Sequence, residues 1–183
     1  MPVGSMPKSD DKHLWVDWEQ YHQATEELVR LVYESGWKFD QVLCLARGGL
    51  RPGDIFSRVF DVPLAILSAS SYRAEAGTVQ GELDIAKHIT VTKGTLAGKV
   101  LLVDDLADSG VTLKRVQGHL QGNFPGVSEV RSAVIWCKAC SVLRPDYYFE
   151  FLPTNPWIHQ PFEIYDSMRP EDVVARLKNQ SGA

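Results

Sequence analysis

Apolar positions along the chain fall into two rhythms. Over residues 17–35, Trp18, Tyr21, Thr25, Leu28, Leu31 and Val32 recur three or four residues apart, which predicts an amphipathic helix with an aromatic stripe used in core packing. Asp17 and Gln20 have the spacing of a capping box, and Gly36 supplies a stop. After this helix the pattern changes to short, almost unbroken apolar runs, the mark of strands buried on both faces. They predict strands at 41–46, 63–68, 99–103, 130–136 and 147–152. A helix from about Arg51-Pro52 to Phe60 separates the first two, with proline suited to the first turn. Another runs from about Val111 to Gln121, and a last one covers 170–178. The polar stretch 70–81 reads as a loop, and 83–92 reads as an edge strand or hairpin. Strands alternating with helices predict an α/β fold, a mostly parallel central sheet flanked by helices, with a small hood from the terminal segments.

Composition changes this picture little. The chain has 183 residues, 44% hydrophobic and 23% charged, enough for one core. The expectation is a flexible N-terminus over 1–13 and a single domain over 14–183. The formal net charge of −4 argues against a nucleic-acid partner, which would favour a basic surface. No apolar run reaches the roughly 20 residues that span a bilayer, and the N-terminus lacks the apolar core of a signal peptide, so no transmembrane segment and a cytoplasmic location are expected. Cys44 sits in an apolar run and reads as a small buried hydrophobe. Cys137 and Cys140 form a C-x-x-C, but no second pair of ligands follows it, so metal and redox use are both disfavoured. His13, His22, His88 and His119 have no ligand spacing and read as surface or structural.

Chemistry concentrates in Lys99–Leu113, KVLLVDDLADSGVTL. An apolar strand ends in Asp104-Asp105, and a short loop with Ser109 and Gly110 opens a helix. Ligands of open parallel sheets bind at the carboxyl ends of strands. A helix start offers unsatisfied N–H groups and the positive end of a dipole, both suited to phosphate. Ser109 and Thr112 can add hydroxyls, and Gly110 lets the backbone come close. Two adjacent carboxylates repel unless a cation or hydroxyl donors lie against them, and a sugar diol with a magnesium ion meets that need.

This stretch resembles the 5-phosphoribosyl-1-pyrophosphate (PRPP) motif of the type I phosphoribosyltransferases, and within them it is similar to the bacterial 6-oxopurine enzymes. LARGGLRPG (45–53), SSY (70–72), VDDLADSGVT (103–112), IWCK (135–138) and NPWIHQPFE (155–163) carry the likeness. It implies a PRPP-binding set of Arg47, Gly48, Gly49, Ser71, Tyr72, Asp104, Asp105, Ala107, Asp108, Ser109, Gly110, Val111 and Thr112. Asp104 and Asp105 would hold the ribose hydroxyls, with Asp105 nearest a Mg2+ ion. Residues 108–112 would take the 5′-phosphate, and Arg47 and Gly48 the pyrophosphate. The Ala46–Arg47 bond is a candidate cis peptide. Ser71 and Tyr72 would begin a loop that closes over PRPP. Lys138 would meet the 6-oxo group of a purine, Trp157 would stack on its ring, Ile158 would meet its edge, and Asp108 would act as catalytic base. The implied partners are PRPP and a purine base, in a homodimer or homotetramer. Alternatives of the same fold are a PRPP-sensing regulator that binds nucleic acid and a transferase for a pyrimidine. The chain departs from the family pattern in two places. His159 follows the Trp-Ile pair where the family has glutamate. Gly81 precedes Glu82 where an arginine is usual, which leaves Arg73 or Lys87 as substitutes.

Overall fold

The computed structural model describes residues 10–71, 83–86 and 88–181. Its elements follow in the order β1 (His13–Trp15), α1 (Trp18–Glu34), β2 (Gln41–Ala46), α2 (Leu50–Phe60), β3 (Leu64–Ser71), β4 (Leu83–Ile85), β5 (Thr90–Val91), β6 (Gly98–Ala107), α3 (Val111–Asn123), β7 (Val127–Lys138), β8 (Tyr147–Leu152), β9 (Trp157–His159), α4 (Ile164–Ser167) and α5 (Pro170–Ser181). They divide into two compact units, residues 24–155 and the two terminal segments 1–23 and 156–183.

The larger unit holds a seven-stranded sheet in the order β4-β3-β2-β6-β7-β8, with β5 also on β3. Strands β2, β3, β6, β7 and β8 run parallel; β4 and β5 are antiparallel to β3. The mostly parallel sheet expected from the apolar runs is therefore present, and β4 and β5 form an antiparallel edge where an edge strand or hairpin is expected. The centre of the sheet is apolar on both faces: Val42, Leu43, Cys44, Val100, Leu101, Leu102, Val103, Ala133, Val134 and Ile135 are all fully buried. Helix α3 lays Leu113, Val116 and Leu120 on this core.

Two strands run further than their apolar cores suggest. β6 continues past Val103 through both aspartates to Ala107, and β7 extends to Lys138. The extension of β6 pairs along β7, Asp104 beside Val134 and Ala107 beside Cys137. Backbone pairing thus carries polar residues that hydrophobic periodicity cannot count as strand.

In the terminal unit, β1 pairs parallel with β9, with His13 beside Trp157, Leu14 beside Ile158 and Trp15 beside His159. His13, the last residue of the segment expected to be flexible, is the first of this strand. The capping box forms as expected: the Asp17 N–H donates to Gln20 Oε1 at 2.9 Å and the Gln20 N–H to Asp17 Oδ1 at 2.8 Å. Tyr21 is buried with its ring edge against Phe162, whereas Trp18 stays 41% exposed. Gly36 ends α1 at φ +71°, as expected of its stop signal.

Candidate active site

The order of the sheet reverses at β2. The chain leaves β2 through α2 to β3 on one side, and β6 enters on the other side and leads outward to β7 and β8. Ligands of open α/β sheets bind in the crevice made by such a reversal. Here the crevice opens because β2 pairs with β6 only as far as Cys44 beside Val103. Beyond that register β2 turns away through Arg47-Gly48-Gly49 into α2, and Asp104 and Asp105 of β6 border the space it leaves.

Glycine is required where the turn passes the acids. A Cβ on Gly49 would collide with the Val103 carbonyl and stand 2.9 Å from Leu45 N and O. A Cβ on Gly48 would lie within 2.7 Å of Asp105 Oδ2. The Ala46–Arg47 peptide is cis, at the bond singled out by the resemblance. Asp104 and Asp105 differ in environment. Burial, and then the charge of Asp105, push the Asp104 carboxyl well above the ordinary carboxylate range, although the Asp105 N–H donates to its Oδ1 at 3.0 Å.

After Ala107 the chain passes through Asp108 and Ser109 to Gly110, which stands at φ +72° and caps α3. A left-handed φ costs glycine little. Space demands it as well, since a Cβ there would collide with Ser141 Oγ and stand 2.8 Å from Leu143 N. The first helical bond is Lys114 N–H to the Gly110 carbonyl, so the amides before it have no acceptor within the helix. Val111 N–H reaches Ser109 Oγ at 3.4 Å. Ala107 is buried in the core and ends β6, in register with Cys137 of β7.

The segment after β7 braces this loop. Val142 N–H donates to the Ser109 carbonyl at 2.8 Å, and the Ser141 hydroxyl donates to the Leu143 carbonyl at 2.6 Å. Sequence reasoning missed this brace, because nothing periodic or motif-like marks residues 141–143. Lys138, the last residue of β7, is buried, and its Nζ lies 3.1 Å from Asp108 Oδ1 on the exposed side of the loop. Two residues assigned separate roles are thus an ion pair. Cys140 Sγ lies 3.4 Å from the Asp108 carbonyl oxygen. Cys137, by contrast, is buried among Ala107, Leu113 and Leu143, and burial raises its thiol above the usual range. The three cysteines are free. Cys44 fills the expected buried role, its thiol pushed up to about 12 by burial.

Arg47, in the turn after β2, and Val111, the first residue of α3, are exposed, and Thr112 is half-buried. Ser71 ends β3, its backbone paired with Leu83. Tyr72, Arg73, Gly81, Glu82 and Lys87 lie outside the described residues. Trp157 and Ile158 stand on β9 in the terminal unit. Ile158 is buried, while the Trp157 indole is 59% exposed and so does not serve core packing.

No group of three or more histidine, cysteine or acidic side chains converges among the described residues. Magnesium usually takes one or two protein carboxylates, with substrate phosphates and water supplying the rest. The Asp104–Asp105 pair is such a donor set. No helix among the described residues is long and apolar enough to cross a membrane.

The comparisons with known proteins agree with this geometry. The chain is similar to the xanthine-guanine phosphoribosyltransferase of Idiomarina loihiensis, 26% identical over 85% of this chain and 89% of that one. Among solved structures it is similar to a purine phosphoribosyltransferase from Pyrococcus horikoshii Ot3, with a TM-score of 0.68 and 29% identity over 82% of this chain and 94% of that one. It is also similar to the Helicobacter pylori xanthine-guanine-hypoxanthine phosphoribosyltransferase, with a TM-score of 0.66 and 25% identity over 93% and 99%. The phosphoribosyl transferase domain family matches residues 17–167, spanning the crevice, the loop and the ion pair, and the chain therefore belongs to the type I phosphoribosyltransferases and is an enzyme of that family.

Proposed function

We propose that the protein transfers the phosphoribosyl group of PRPP to a 6-oxopurine, giving the nucleoside 5′-monophosphate and pyrophosphate in purine salvage. The observation that carries this reading is the Lys138–Asp108 pair, 3.1 Å apart at the mouth of a glycine-lined crevice that ends in two carboxylates. A cation and a base held side by side suit a purine that presents a carbonyl oxygen next to a ring N–H. The similarity to purine enzymes supports the same substrate class.

In this reading the amides at the start of α3, with the hydroxyls of Ser109 and Thr112, take the 5′-phosphate. Asp104 and Asp105 accept hydrogen bonds from the two ribose hydroxyls, and Asp105 also holds magnesium. When bound, that ion neutralises the pyrophosphate. Arg47 and the Gly48 amide bind the same group. As the anomeric carbon gains oxocarbenium character and pyrophosphate leaves, Asp108 takes the proton from the ring N–H beside the carbonyl, which leaves the lone pair of the attacking ring nitrogen free to form the new bond. Lys138 stabilises the negative charge that collects on the 6-oxygen, and Trp157 stacks on the ring, a contact worth roughly 1–3 kcal/mol per base.

Screening purine and pyrimidine bases with PRPP and magnesium, and following pyrophosphate release, tests the proposal. Guanine, xanthine or hypoxanthine should support turnover, and adenine and orotate should not. Turnover with a pyrimidine alone, or salt-sensitive nucleic-acid binding with no turnover, would replace this reading by one of the alternatives.

A further inference from the structure

The β1–β9 ribbon contains two histidines that no step above uses. We infer that His13 and His159 form a proton-sharing latch that holds β9, and with it Trp157 and Ile158, in register on β1. The consequence for base binding rests on the reading just proposed, in which Trp157 meets the purine.

The ribbon needs such a device. Each strand has three residues, and a two-stranded ribbon is marginal in water. Its ends are tied by Trp157 N–H to the Lys12 carbonyl at 2.7 Å and Val16 N–H to the His159 carbonyl at 3.1 Å. Alternation puts His13, Trp15, Trp157 and His159 on one face. On that face His13 Nδ1 and His159 Nε2 lie 2.9 Å apart. The Trp15 indole lies flat on the His159 ring, centroids 3.5 Å apart and planes 5° apart, and so fixes the plane in which that imidazole can bond. The His13 ring follows at 5.1 Å and 27°.

A bond between two ring nitrogens requires one to carry a proton and the other a lone pair. A first added proton can go to the outer nitrogen of the donor ring and leave the bond intact. A second has only the bridging lone pair to occupy, which removes the acceptor and sets two cations at hydrogen-bond distance. Among the described residues the charged groups near the pair are few. Asp10 accepts the Lys12 and His13 amides at its Oδ1, and those bonds lower its pKa, so it stays anionic throughout. Lys12 precedes His13. Asp17 and Glu163 line, with Trp15, Trp18 and His159, a cleft of about 490 Å³. Burial first, and then the positive charge of His13, hold His159 below the ordinary histidine value. The closed ribbon therefore binds fewer protons than the open one. Its stability is fully present above the ordinary histidine pKa of about 6.5 and is lost as pH falls through the lowered value.

Amide hydrogen exchange on the whole protein tests the latch without reference to turnover. In His13→Ala, protection of the Trp157 and Val16 amides should fall roughly three- to tenfold at pH 7.5, the range that one hydrogen bond of ordinary net strength covers. His13→Gln, which can bond to His159 but does not titrate, should keep that protection. Corrected for intrinsic exchange, the native protein should lose protection between about pH 7 and pH 5, across the histidine range, and His13→Gln should not. The KM for the base should rise with the loss of protection while kcat stays within about twofold, as for a change in ground-state and transition-state binding alike. Unchanged protection in His13→Ala, with the fold intact by its unfolding temperature, overturns the latch. Lost protection with an unchanged base KM overturns its positioning role. Trp157→Ala separates the two readings: if it leaves the base KM unmoved, the assignment of Trp157 to the purine fails, and the latch is still decided by exchange.

Discussion

At the β2/β6 crevice and the loop that opens α3 the chain passes so near itself that a Cβ on any of three glycines would force a neighbour to shift, whereas the β1–β9 ribbon is joined by rings. Gly48, Gly49 and Gly110 face an acid, a carbonyl and a neighbouring loop at distances no Cβ tolerates. His13, Trp15 and His159 reach across between strands of three residues each. A site made of backbone is fixed once the sheet forms, because its donors lie on the main chain. A site made of side chains is only as firm as its contacts, and when those contacts titrate it can respond to conditions. The first construction suits phosphates, which are the same in every substrate of the family. In the proposed reading, where Trp157 meets the base, the second would suit the part of a substrate that varies.

This contrast can be tested at several strengths. The largest effect belongs to Asp108→Asn, which keeps the loop and removes the proposed proton acceptor. It should lower kcat by about 10²–10⁴, the usual weight of general-base catalysis, with PRPP binding largely intact by calorimetry. Unchanged turnover would remove Asp108 from its role. Next comes a matched pair. Adding one methyl group, Gly49→Ala, should cost about 3 kcal/mol by overpacking and lower the unfolding temperature by roughly 6–12 °C. Removing a whole indole from the half-buried ribbon, Trp15→Leu, should cost only about 1 kcal/mol of stacking. If the ribbon change proves the more damaging in calorimetry, the contrast drawn here is reversed.

The smallest effect concerns Asp104, whose folded-state pKa is raised. Such a group binds its proton more tightly folded than unfolded, so it weakens the fold as pH rises through the raised value. Asp104→Asn should therefore stabilise the ligand-free protein at pH 8 by about 1 kcal/mol, or roughly 2–4 °C. The gain should vanish towards pH 4, and PRPP should bind more weakly. A thermal shift series across pH, with and without PRPP, would show both.

The crevice could be read in the sequence because its requirements are local. Two acids, a left-handed glycine and a helix start lie within eight residues, and each has a physical reason to follow the last. The same holds for the capping box and the Gly36 stop of α1. Strand ends were less legible. The register of β6 with β7 carries Asp104 and Asp105 as strand residues, and no apolar pattern announces that. The ribbon could not be read at all. His13 and His159 are 146 positions apart, and one chain alone gives no sign that they meet. The same applies to the brace of Ser141 and Val142 behind the loop. Lys138 and Trp157 drew notice only through resemblance, since a lone lysine or tryptophan carries no spacing.

One contact bears on the enzyme at rest. A lysine ammonium buried as deeply as that of Lys138 cannot cheaply stand alone when a product departs. Asp108 already lies against it, so the vacated site has its own counter-ion and no solute must be recruited before the next cycle. In the proposed reading an incoming purine would trade one partner for another instead of meeting a stranded charge, and discrimination among bases would be a contest with an internal competitor.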